Sequence, residues 1–372
     1  MRLFRLLLLL LLLGILSVSV FAYWSYRELH SPVLHAHESD YIEIPRGSSP
    51  DQIVSKLAAH GVIRREWLFR LYLRLSGAGS RLKAGEYRFP SPITPMSVLS
   101  KLEEGEQRLS RFTVVEGWTR WDIAGLMARM PELKLGSAEE ALALFDDTSE
   151  IRDLDPQAPN LEGYLFPDTY SFPPNTSAQE IVRAMVRRFR QVWDRDLAAG
   201  AQARGKSVRE IVTIASLIET EAKLKEERAL VSSVIYNRLR IGMPLGIDST
   251  VIYASKLAGK WRNDGKVYQS DLDRNSPYNT RKVRGLPPGP IASPGARALE
   301  AAVNPADTSH LYYVRNPDRD DGAHNFYDNE ADFARGVQAL REWERQRDAR
   351  ARESSEGEPA VAPPTPTPTP SP

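Results

Sequence analysis

Between Ile214 and Ala222 the chain reads IASLIETEA, an apolar run that carries two carboxylates two positions apart, Glu219 and Glu221. A carboxyl held against an apolar wall is disfavoured as an anion. Its pKa therefore rises and it can keep a proton near neutral pH, which a general acid requires. At about 100° per residue, Ile211, Ile214, Ala215, Leu217, Ile218 and Ala222 share one broad helical face. Glu219 falls on one flank of it, beside Val212 and Ala215, and Glu221 on the other, beside Ile214 and Leu217. Periodicity does not choose between them. A second reading puts both on the rim, paired with Lys223, Lys225 or Arg228 and without chemistry of their own.

Several elements must hold this stretch. Its helix starts at Val208 after the polar break RGKS, and a long helical region precedes it from about Ala178 to Ala203, with Ile181, Met185, Val186 and Phe189 on one side. The arginines of that region, Arg183, Arg187, Arg188 and Arg190, read as its solvated face. Nearer the N-terminus, YIEIPRGSSPDQIVSKLAAHGVI alternates like a strand, turns at Gly47 and offers Ser49 as N-cap before Pro50, then shows helical spacing at Ile53, Val54 and Leu57. Seventy residues on, FTVVEGWTRWDIAGLMARM repeats the plan, with Gly117, Ile123 and Met127 matching Gly47, Ile53 and Leu57. Between the two copies lie the helical REWLFRLYLRL, the strand-like AGEYRF and a helix from about Thr94 to Leu102 that ends at Gly105. Residues 41 to 130 thus read as one small α+β module without a catalytic constellation, and 131 to 345 as the domain that carries the carboxylates.

The chain ends have other roles. Arg2 and Arg5 precede 17 uncharged residues, Leu6 to Ala22, and Tyr23, Trp24 and Tyr26 follow as interfacial aromatics. That run just spans a hydrocarbon core of about 30 Å, and the flanking arginines leave the N-terminus cytoplasmic. Residues 1 to 26 read as a retained single-pass anchor of the inner membrane with everything beyond it periplasmic. A signal peptide cleaved after Val20-Phe21-Ala22 is the competing reading. Residues 27 to 40 read as a polar linker, in which His35 and His37 lack the further ligands a metal site needs. From 346 to 372 the alternation of proline with threonine reads as a mobile extended tail. With 42% hydrophobic residues the 372-residue chain can build sizeable cores, and its formal charge of +1 gives no reason to expect nucleic acid as partner. The absence of cysteine removes disulfides and lipid-modified thiols from an exported chain.

The segments ASLIETEAKLKEERALVSSVIYNRLRIGMPLGIDSTVIYA, SPYNTRKVRGLPPGPIASPGARALEAAVNPADTSHLYYV and GAHNFYDNEADF, with LEGYLFPDTY and LKAGEYRF upstream, resemble the YceG-like family of endolytic murein transglycosylases from the membrane segment to about Val337. The resemblance implies an α+β protein: a transmembrane helix, a small LysM-like module, and a mixed α/β catalytic domain with a lysozyme-like active-site helix. It identifies the second glutamate of the pair, Glu221, as catalytic, with Glu219 as support or alternative. The bulkier neighbours Ile214 and Leu217, which should desolvate Glu221 more than Val212 and Ala215 desolvate Glu219, point the same way. By the same resemblance Glu162, Asn237, Arg238, Asp248, Thr250, Tyr278 and Asn279 line the cleft, and Tyr253 joins them in holding sugar. Structural readings stand beside these. Asn237 and Arg238 could brace a helix end, and Asp248 could be a turn residue after Gly246. In GLPPGPIASPG the glycines read as backbone necessities, with Ser293 as N-cap and Pro294 at the first helical position. Ala222 and Ser249 depart from residues frequent in the family, threonine and proline, which bears on substrate fit.

The reaction implied is cleavage of the β-1,4 bond between N-acetylmuramic acid and N-acetylglucosamine within peptidoglycan strands. Glu221 acts first as acid and then as base, leaving a 1,6-anhydro end, with no cofactor and no metal. Nascent strands are the implied substrate, cut as a terminator of their polymerisation, and murein synthases (penicillin-binding proteins) are the implied partners. Two alternatives remain: a murein hydrolase in which Asp248 or Glu162 activates water, and a non-catalytic peptidoglycan-binding scaffold with Glu221 as a rim charge. His310 and His324, near expected strands, read as packing or hydrogen-bonding residues.

Overall fold

The computed structural model describes residues 2–105, 109–173 and 176–356. The expected proline- and threonine-rich tail lies outside the described residues from position 357. Contacts divide the chain into two units, one formed by Met1–Phe112 with Ser171–Thr176, the other by Thr113–Tyr170 with Ser177–Pro372.

In the first unit, helix α1 (Arg2–His30) leads through a short bridge between Val33 and Ile93 to strand β1 (Ile42–Ile44), helices α2 (Pro50–Ala59) and α3 (Glu66–Ser76), strand β2 (Gly85–Tyr87) and helix α4 (Pro95–Glu104). Strands β1 and β2 are antiparallel, with Ile42 opposite Tyr87 and Ile44 opposite Gly85. Alternation puts Ile42, Ile44 and Tyr87 inward, where they pack with Val54, Leu57, Phe69, Phe89 and Leu102. Ser49 caps α2 with Pro50 at its start, and Gly105 ends α4 in a left-handed conformation. Both ends agree with the sequence reading.

The second unit is mostly helical. It takes in the end of strand β3 (Ser110–Thr113), helices α5 (Arg120–Ala128) and α6 (Ala138–Phe145), and the start of strand β4 (Thr169–Phe172). Helices α7 (Ala178–Val192), α8 (Ala198–Ala203), α9 (Val208–Glu221), α10 (Arg228–Arg240), α11 (Asp248–Leu257), α12 (Gln269–Leu272) and α13 (Ala296–Val303) follow. The antiparallel hairpin of β5 (Tyr312–Arg315) and β6 (His324–Tyr327) precedes helix α14 (Glu330–Glu356). Sheets are two-stranded throughout the described residues, so the architecture is a mostly helical α+β one. Helix α14 also takes in residues 346–356 of the expected tail.

The sequence echo is a structural one. Gly47 and Gly117 have φ of +84° and +81°, and each precedes a helix whose N-cap backbone N–H donates to the side chain three residues on: Ser49 to Gln52 at 2.8 Å and Thr119 to Asp122 at 2.9 Å. The first copy belongs to the first unit, whereas Thr113–Met127 belongs to the second.

Two local expectations shift. The long helix over 178–203 is interrupted at Trp193–Leu197 by a wider π turn, in which Trp193 and Leu197 are both buried. Helix α13 starts at Ala296 with Gly295 as N-cap, two residues after the expected Ser293. The reason is tertiary. Ser293 is held by backbone bonds, its N–H donating to Trp118 O at 2.7 Å and its carbonyl accepting from Gly117 N at 2.9 Å.

Candidate active site

Helix α9 is set by a capping box, in which Ser207 accepts from the backbone N–H of Glu210 while the Glu210 carboxylate accepts from that of Ser207. Its residues from Ile211 to Ile218 are all buried. The two glutamates sit where this buried run meets its surroundings, and the fold separates their environments.

Glu219 is structural in its contacts. Its carboxylate takes Arg228 Nη2 at 2.7 Å and the backbone N–H of Gly295 at 2.9 Å, and its side chain is 5% exposed against 9% for Arg228. It joins three elements: the end of α9, the start of α10 and the start of α13. Burial pushes its carboxyl above the usual range, with the Gly295 N–H and Arg228 pulling it back. The rim pairing considered for both glutamates is thus realised for this one, but inside the protein.

Glu221, the last residue of α9, meets neutral hydroxyls instead. Tyr313 Oη donates to Oε2 at 2.9 Å and Ser249 Oγ to Oε1 at 3.3 Å, while Ser249 also shares a 2.8 Å bond with Thr220 Oγ1. Among the described residues no cation lies within 4 Å of its carboxylate. Burial raises its pKa; the Tyr313 hydrogen bond opposes this, and the charge of Asp248 adds to it. Asp248 itself pairs with Arg281 at 2.6 Å on the surface.

A second carboxyl site is built around Glu162. It accepts from the backbone N–H of Arg120 at 3.1 Å and from Tyr253 Oη at 3.2 Å, and burial raises its pKa to about 7. Tyr253 in turn lies against Trp121 and Tyr278, with ring centroids 5.3 and 5.0 Å apart. Ser249 and Tyr253 are four apart on α11, so one helix face touches Glu221 at its start and Glu162 a turn later.

The other residues selected from sequence hold backbone. Asn237 Nδ2 donates to the carbonyls of Thr308 and His310 at 2.8 and 3.0 Å, and Arg238 Nε to that of Leu311 at 2.6 Å. Together they brace the segment that leads into β5 and hence to Tyr313. Thr250 and Asn279 are fully buried. Thr250 bonds Thr280 Oγ1 at 2.9 Å, and Asn279 donates to Leu272 O and Arg274 O at 2.9 Å each. His324 is hydrogen-bonded to the Glu227 carboxylate at 2.7 Å and meets the Tyr313 ring edge-on at 5.4 Å. His310 bonds Asp328 at 2.6 Å.

Sequence reasoning missed Tyr313. It stands 92 positions from Glu221, and the alternation of HLYYV marks a strand without saying what either tyrosine faces. Ser249 was noticed only as a departure from the family.

The YceG-like family model matches residues 42–339, which includes both glutamates, Ser249 and the β5–β6 hairpin. The chain belongs to the YceG-like family. It is 37% identical over 289 residues to an endolytic murein transglycosylase of Bacillus subtilis, covering 73% of this chain and 78% of that one. It is 29% identical over 350 residues to an endolytic murein transglycosylase of Streptococcus pneumoniae, covering 86% of this chain and 62% of the longer relative. Among solved structures, a yceG-like protein from Listeria monocytogenes is 30% identical with a TM-score of 0.55, over 80% of this chain and 98% of that one.

Proposed function

We propose that this chain is an endolytic murein transglycosylase, a lyase whose single acid and base is Glu221. Kinship with the Bacillus subtilis enzyme supports the activity. The observation that carries the residue is the contrast within the pair: Glu219 is ion-paired to Arg228, whereas both oxygens of Glu221 face neutral hydroxyls. A carboxyl with hydroxyl neighbours and no cation can hold a proton and later accept one. A carboxylate bound to a guanidinium is drawn toward the anion by it.

In the reaction, protonated Glu221 gives its proton to the oxygen that links N-acetylmuramic acid to the next N-acetylglucosamine as the C1–O bond breaks. The resulting carboxylate takes the proton of the muramyl 6-hydroxyl, whose oxygen bonds to C1 and closes the 1,6-anhydro ring. Atoms and charge balance without water, and one carboxyl serves where a hydrolase ordinarily uses two. Tyr313 and Ser249 orient Glu221. Glu162, Tyr253, Tyr278, Asp248, Asn237, Arg238, Thr250 and Asn279 are proposed to shape or support the cleft, Asn237 and Arg238 through the backbone they hold. Helix α9, with a carboxyl at the end of a buried run, is the lysozyme-like element of this reading.

Helix α1 is proposed as a retained inner-membrane anchor, N-terminus inside; an 18-residue window within Phe4–His30 has a mean hydropathy of 2.7. Residues 41 to 130 are proposed as the LysM-like glycan-binding module. Held there, the enzyme is within reach of nascent strands leaving a murein synthase, which is proposed as its partner.

The test is mass spectrometry of glycan strands after incubation with the full chain in detergent. Anhydro-muramyl ends that disappear in Glu221→Gln are expected. Free reducing ends would favour a hydrolase, and binding without cleavage a scaffold.

A further inference from the structure

The geometry points to a second membrane contact in the first unit: Trp67, at the start of α3, seats in the lipid headgroup layer beside the anchor helix. This rests on the reading of α1 as a retained anchor.

Helix α1 does not end at the membrane surface. It runs unbroken from Arg2 to His30, and its last residues are part of the first unit: Leu29 is 6% exposed in the core and Trp24 packs against that core. Arg65, just before α3, ties the two helices, donating to Glu28 at 2.9 Å with its guanidinium carbon 5.4 Å from the centre of the Trp24 ring. Soon after, the backbone of Val33 bonds Ile93 in both directions at 2.8 and 3.0 Å. The segment expected to be a polar linker is therefore fastened to the unit from its first residues.

This attachment fixes a depth. The apolar run ends at Ala22, so Phe21 lies at the outer edge of the hydrocarbon and Trp24 about 4.5 Å beyond Phe21, at 1.5 Å per residue. The headgroup layer on each side is about 5 to 7 Å thick. Trp67 stacks on both markers, its ring 6.3 Å from that of Phe21 and 5.9 Å from that of Trp24. A ring bracketed in this way lies in the headgroup layer wherever α1 is inserted. Trp67 is nevertheless half exposed, at 50%, and so is its neighbour Phe21 at 45%. An indole with an apolar body and one N–H donor is suited to the boundary between acyl chains and headgroups. The occupant of this aromatic surface is the bilayer itself. Its consequence is that the first unit stands on the membrane through two contacts, instead of swinging on a tether.

The absence of cysteine allows a direct test. Full-length Trp67→Cys and, as a hydrocarbon reference, Gly14→Cys are spin-labelled and reconstituted into phosphatidylethanolamine–phosphatidylglycerol vesicles. Label accessibility to dissolved oxygen is compared with accessibility to a water-soluble nickel complex. Position 67 should be shielded from nickel, at a depth between Gly14 and bulk water. A water-like signal at 67 with a lipid-like one at Gly14 overturns the docking and leaves the anchor standing; a water-like signal at both overturns the two together. Quenching of native tryptophan fluorescence by brominated lipid checks the unlabelled side chain. Trp67→Phe should reduce the quenched component, and an unchanged component overturns the proposal.

Discussion

The hydroxyl of Tyr313 donates to Oε2 of Glu221 at 2.9 Å, joining the end of α9 to the first strand of the β5–β6 hairpin. This bond favours the carboxylate, so it works against the burial that favours the acid. Removing it in Tyr313→Phe should raise the Glu221 pKa. Activity that needs the protonated acid would then persist to higher pH, and the alkaline limb of the pH–rate profile moves upward. Loss of one orienting hydrogen bond, about 1.4 kcal/mol, should cost roughly tenfold at the plateau. Rates of anhydro-end formation across pH check both effects: an alkaline limb that moves downward would refute the effect on the pKa, and an unchanged plateau the orientation role.

Glu221→Gln should keep the fold and lose turnover by about 10² to 10⁴, toward the upper end because one residue serves both proton transfers. Glutamine can accept one of the two hydroxyl bonds at its amide oxygen and donate its amide N–H to the other hydroxyl oxygen, but it cannot protonate a leaving oxygen. Product quantification, with circular dichroism to verify folding, checks this. Activity retained here and lost in Glu219→Gln would invert the assignment.

Arg228→Met should act on stability. It strands the Glu219 carboxylate inside the protein with only the Gly295 N–H as partner, a loss of about 3 kcal/mol for a broken buried pair. Adding Glu219→Gln should recover much of it, because the unpaired charge is then gone. Thermal denaturation of wild type, both single variants and the double variant measures the coupling.

Glu162 should make the second unit less stable as pH rises from about 4.5 to about 7. Its folded pKa lies above its ordinary value of 4.5, so between those pH values the native state holds a proton that the unfolded chain has released. The stabilisation is complete below the unfolded pKa and lost as pH passes the folded one, about 3 kcal/mol in all at 1.36 kcal/mol per unit. Glu162→Gln should flatten this part of the stability profile, read as midpoint temperature against pH.

Local signals were legible wherever the physics is local. Turn glycines with positive φ at Gly47 and Gly117, the cap at Ser49, and the apolar face of α9 each depend on a few neighbouring residues, and the chain displays them directly. The same is true of the apolar run of α1. The start of α13 was misread at Ser293, because backbone bonds to Trp118 and Gly117, distant in sequence, override a good local capping pattern. The linker expected at 27–40 shows the same limit: its polarity is local, but Leu29 is buried in a core whose other members lie far along the chain, and the bridge at Val33 depends on Ile93.

The glutamate pair shows the division most clearly. By itself the sequence determined that Glu219 and Glu221 flank a buried helical face, since spacing of 3.6 residues per turn fixes angles along one helix. It left open which of them meets a cation and which meets hydroxyls. Only the tertiary structure decided this, bringing Arg228 and Gly295 to one and Ser249 and Tyr313 to the other. The physical reason is that a carboxyl's protonation depends on what lies within a few ångströms of it, and those neighbours come from α10, α11, α13 and β5, whose approach to α9 is set by packing and has no signature in the spacing of the residues it joins.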